Sequence, residues 1–118
     1  MSSSERMAGS NISVYELPGG QSFAEVQKPF GDNIYCALVN LRGEYPGSNQ
    51  MAHDIGRREF LYLFEGEVKV TINGSDSLLQ TDSGIMVEDG DYYRIKGRGE
   101  MVVFVEDKEG GTTKIEDL

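Results

Sequence analysis

The chain has 118 residues, a net charge of −9 and a single cysteine, Cys36. Charge of that sign argues against binding nucleic acid through its phosphates and against anionic membrane surfaces. No apolar stretch approaches membrane-spanning length, the opening MSSSERMAGS lacks the apolar segment of a signal peptide, and one cysteine forms no internal disulfide, so a cytoplasmic protein is expected.

Residues 1–11 are small and polar and read as a disordered tail, and 12–118 read as one domain long enough to bury a core. Ile12 to Leu17 alternates apolar with polar, a half-buried strand, and Pro18-Gly19-Gly20 turns it. Gln21 to Gln27 is a second strand, and Pro29 to Asn33 a loop. Ile34 to Leu41 is short and almost continuously apolar, a buried strand, and Gly43 to Gly47 is a loop.

From Glu59 the alternation becomes regular. Glu59, Leu61 and Leu63 share the inward face; Phe60, Tyr62 and Phe64 share the other. Gly66 turns a corner, and Val68, Val70 and Ile72 again face inward. Asn73-Gly74 is a hairpin signal, because both residues tolerate positive φ. Leu78-Leu79, Gly84 to Val87, Tyr92 to Ile95, Glu100 to Glu106 and Thr112 to Ile115 complete the strands. Roughly eight to ten short strands with no amphipathic helix predict an all-β sandwich or barrel.

Around this run the spacing is Gly47, five residues, His53, one residue, Ile55, three residues, Glu59, six residues, Gly66. It resembles the first motif of the cupin family, which reads G, five residues, H, one residue, H, three or four residues, E, six residues, G. Four of these five positions match, and Ile55 stands where the second histidine belongs. The stretch from Gly90 to Glu100 is the counterpart of the second motif, with Ile95 in place of the usual proline and Glu100 in place of its histidine. The resemblance runs from Ile34 to Glu106. It implies an antiparallel jelly-roll β-barrel with a small-molecule site in its mouth.

By the same resemblance His53 and Glu59, with Glu100 as the third ligand, would hold a divalent metal such as Zn, Mn, Fe or Ni. A register slipped by one residue would put Asp54 in the ligand position. It loses the histidine, so His53 is preferred. Glu59 on a face shared with leucines is costly unless it is paired, hydrogen-bonded or metal-bound. Without metal, His53 and Glu59 form an acid–base pair in which the carboxylate orients the imidazole. Arg57 or Arg58 can take an anionic group of a ligand by a bidentate contact, and Tyr35, Tyr62, Tyr92 and Tyr93 can line a pocket.

Two functional readings follow, beside a third in which the chain is an oligomerising or regulatory accessory protein with no ligand. One is a barrel that binds a small molecule, its metal site degenerate or lost. The other is a metal-dependent cupin enzyme, a dioxygenase, isomerase, epimerase or lyase acting on a small polar metabolite. The outward Phe60, Tyr62 and Phe64 predict a homodimer, unless the segment from Ile12 to Leu17 folds back over them.

Overall fold

The computed structural model describes residues 12–17, 21–26 and 34–118. The tail at 1–11, the turn at 18–20 and the loop at 29–33 lie outside the described residues. The described residues form seven strands: β1 (Ile12–Leu17), β2 (Gln21–Val26), β3 (Ile34–Tyr45), β4 (Gln50–Ile72), β5 (Ser75–Gln80), β6 (Ser83–Val87) and β7 (Tyr92–Asp117). All pairings are antiparallel, in the order β1-β2-β3-β7-β4-β5, with β6 also on β4. Among the described residues no helix is long and apolar enough to cross a membrane.

Two strands are far longer than expected. β4 runs for 23 residues and β7 for 26, and His53 lies within β4 rather than between strands. Glycines let these strands bend without losing their ladder. Gly66 (φ 116°) and Gly97 (φ 147°) sit where β4 and β7 cross, and a Cβ on either would run into the backbone opposite, at Arg98 and Glu67. The bending rolls the sheet: Tyr93 is bracketed by Ile72 on one side and Ala52 on the other, from the two ends of one strand. Asn73 (φ 50°) and Gly74 (φ 83°) form the expected tight turn into β5.

The inside follows the predicted alternation. Leu61, Leu63, Val68 and Val70 are buried, with Leu41 from β3 and Met101, Val103 and Val105 from β7. Burying each such side chain stabilises the fold by about 1.5–3 kcal/mol. Glu59 lies among them, only 7% exposed.

Candidate active site

Inside the barrel a cavity of about 160 Å³ has two unlike ends. Val39, Leu41, Leu61, Ile95, Met101 and Val103 make an apolar wall. Tyr35, Tyr45, Arg57, Glu59, Tyr93 and Thr113 make the polar end.

How β4 supplies this polar end depends on one irregularity. Its pairing with β7 jumps between Ile55, opposite Thr112, and Arg57, opposite Asp107. Between these pairs Gly56, at φ 64°, stands alone on β4 against residues 108–111 of β7, and its N–H donates to Asp89 Oδ1 at 2.7 Å. A backbone turn of this kind shifts the phase of every residue before it. Counting back from Glu59 in twos reaches Arg57, Ile55 and His53. Across the turn the inward residues are instead Arg57, Asp54 and Ala52, and the last two are fully buried.

His53 therefore faces outward, which corrects the preferred register. Its ring stacks on Tyr92 at 3.9 Å, and Nδ1 lies 3.1 Å from Glu116 Oε2. The acid–base pairing of His53 with Glu59 is overturned, because the sheet separates them. Tyr92 is likewise held on the outside rather than in the cavity, while Tyr35 and Tyr93 line it. Glu100 alternates with Met101, Val103 and Val105, which fill the interior, and so takes the outward phase opposite Asn40 and Glu65. Among the described residues no three His, Cys, Asp or Glu side chains are grouped to hold a metal. The ligand set implied by the cupin resemblance is divided between two faces of the sheet, and these residues do not fit a shared ion.

The buried carboxylates join one hydrogen-bonded chain. Tyr93 donates its hydroxyl proton to Glu59 Oε2 at 2.7 Å, and its ring lies 6.3 Å from that of Tyr45, whose hydroxyl is bonded to Tyr93. Glu59 is hydrogen-bonded to Asp54. Thr113 donates to Asp54 Oδ1 at 2.6 Å. Asp54 Oδ2 is buried and has no N–H or hydroxyl donor. A carboxyl–carboxyl hydrogen bond requires a proton on one partner, and that proton is the missing donor. Burial, then the bond to Asp54 and its charge, push the Glu59 pKa up to about 8. Burial, then Glu59, raise Tyr93 well above an ordinary tyrosine and Tyr45 to about 12. Near neutral pH the pair thus shares one proton and one negative charge, and the phenols stay neutral.

Arg57 is not free to clamp an anion. Its Nε and Nη2 donate to Asp107 Oδ1 and Oδ2 at 2.6 and 3.1 Å, its Nη1 donates to Thr113 Oγ1 at 2.9 Å, and its guanidinium carbon lies 5.6 Å from the Tyr35 ring centre. Burial works against its charge, but the Asp107 hydrogen bonds and nearby negative groups outweigh it and hold its pKa above the ordinary value. The expected anion contact is replaced by an internal ion pair. Thr113 and Asp107 are site residues that the sequence pattern does not reveal, and Asp54 is the residue of the slipped register rather than of the preferred one. The isolated glycine at 56 inside a strand pattern is the available signal for the turn that brings Asp54 in.

No family model matches the chain, and no curated protein matches it by sequence. Solved structures do resemble it. The Streptomyces nucleoside dehydratase Pac13, solved with uridine, superposes with a TM-score of 0.75 at 12% identity over 99% of this chain and 92% of its own. The cupin domain of Schizosaccharomyces pombe Cnp3 gives 0.63 at 17% identity, covering 86% of this chain and 73% of that one. KdgF from Halomonas sp. gives 0.65 at 13% identity, covering 81% and 88%. The fold of this chain is the all-β, antiparallel cupin fold of jelly-roll type.

Proposed function

We propose that this cupin-fold chain binds a small molecule in the cavity beside Glu59 and moves a proton to or from it. The observation that supports this reading is the buried Asp54–Glu59 pair, which keeps one proton near neutral pH at the wall of a cavity. Such a group is costly to the fold, and strongly shifted carboxyls of this kind concentrate at catalytic sites. Protonated Glu59 donates to a ligand oxygen, and its conjugate base takes a proton back. Asp54 and Tyr93 hold it in place for both steps. A nucleoside dehydratase with the same fold gives a compatible chemical precedent, since loss of water needs a proton delivered to the departing hydroxyl.

A panel of compounds tests this without a named substrate. Hydroxyl- and carbonyl-bearing ring compounds, uridine among them, are incubated with the protein in D₂O and followed by proton NMR. Wild type is expected to exchange or eliminate from at least one, and Glu59→Gln to slow that by roughly 10²–10⁴-fold. Equal rates would reject the role of Glu59. A metal-dependent reaction at His53, Glu59 and Glu100 has no support in their placement. A cytoplasmic location, with neither nucleic acid nor membrane as partner, fits the charge of −9 and the free Cys36.

We further propose a homodimer through the outer face of the sheet. Phe104, Phe60 and Met86 lie side by side on β7, β4 and β6 and are all exposed, with Phe64 nearby on β4. β1, the alternative cover, is hydrogen-bonded at the far end of the strand order, beyond β2, β3 and β7.

A further inference from the structure

We infer that the ligand of this cavity is a compact, uncharged ring compound with hydrogen-bonding groups at one end, and not an anion. The inference rests on the proposed reading of the cavity as the ligand site. Among the lining residues Arg57 is the one cation, and its charge is already matched by Asp107 through two hydrogen bonds. The ion pair is sheltered: the two side chains are only 18% and 23% exposed. What remains unmatched at the polar end is the negative charge shared by Asp54 and Glu59. An incoming carboxylate or phosphate would meet that charge in a poorly screened interior and find no free cation among the lining residues.

The groups left to address a ligand are neutral hydrogen-bonding ones. Tyr45, Tyr93 and Glu59 keep oxygen lone pairs that accept from a ligand, and the proton held between Glu59 and Asp54 is the one that can turn to it. These suit hydroxyl, carbonyl or amide groups. Opposite them Val39, Leu41, Leu61, Met101 and Val103 offer only apolar surface, which favours the face or edge of a ring. Size narrows the class further. The cavity of about 160 Å³ is close to the ~150 Å³ apolar cavity that accepts one benzene. One ring fills it, and anything larger must extend through the mouth.

Matched probes separate the two kinds of ligand. Benzamide against benzoate, and orotamide against orotate, differ mainly in charge. Their dissociation constants for the wild-type protein are measured near pH 7 by ligand-observed NMR. The uncharged member of each pair is expected to bind roughly ten-fold more tightly or better, a gap that shrinks as salt is added. Asp107→Asn unmasks Arg57 and is expected to close or invert the gap. If Asp107→Asn does not fold, the wild-type ratio and its salt dependence are decisive on their own. The inference is overturned if the anions bind wild type as tightly as their neutral partners. It is equally overturned if neither uncharged ring binds, or if folded Asp107→Asn keeps the wild-type ratio. Equilibrium binding involves no proton transfer. Tight anion binding together with loss of exchange in Glu59→Gln would therefore reject this inference and leave the proposed function standing.

Discussion

From Asp54 to Phe64 the two faces of β4 carry opposite departures from the usual rule. Inside, Asp54, Arg57 and Glu59 put three ionisable groups where leucines would be stable. Outside, Phe60 and Phe64 leave large rings 37% and 43% exposed. The inner departure is compensated within the chain: Tyr93, Thr113 and Asp107 supply donors, acceptors and charge, and one retained proton completes the set. The outer one has no such compensation among the described residues. The contrast teaches that a buried polar group points to chemistry in the cavity, whereas an uncovered apolar face points to another surface.

The largest effect should come from the inner face. Folding keeps a proton on Glu59, with a pKa of about 8, that the unfolded chain releases near the ordinary value of 4.5. Between these limits the folded state holds more protons, so its stability falls as pH rises, by on the order of a few kcal/mol across the window. Glu59→Gln keeps a neutral hydrogen-bonding side chain at every pH. Urea unfolding from pH 4.5 to 8.5 should show the fall in wild type and a flatter profile in Glu59→Gln. Identical slopes would show that the Asp54–Glu59 pair is not the group that titrates.

On the outer face the expected change is in association rather than folding. Light scattering at micromolar concentration should give twice the chain mass, and Phe60→Ser with Phe64→Ser should halve it while leaving the pH profile intact. A monomer mass in wild type would remove the dimer and leave the exposed rings unexplained.

The smallest effect is expected at His53. Replacing it with alanine removes the stack on Tyr92 and the contact with Glu116, about 0.5–1.5 kcal/mol at most for the ring pair. The Glu59 titration should be unchanged. A shift in it would connect the two faces of β4 and undo their separation.

The inward Glu59, Leu61 and Leu63, the outward Phe60 and Phe64, and the Asn73-Gly74 turn are all legible in the sequence. Each depends only on neighbours a few residues away. Residues before Gly56 fall on the opposite face from the one alternation predicts, because the backbone turn at Gly56 (φ 64°) reverses the phase and the local pattern carries no sign of it beyond the glycine itself.

By itself the sequence determined that this chain is all-β, which face of the motif strand is buried, and that a carboxylate lies among leucines. These are consequences of a two-residue period and of the cost of burying charge. Only the tertiary structure decided that Asp54 replaces His53 inside, and that Tyr93 holds Glu59. It alone also showed that Asp107 matches Arg57. Those pairings join β4 to residues 34 to 59 positions away, and nothing local in the chain encodes which distant strand will lie alongside.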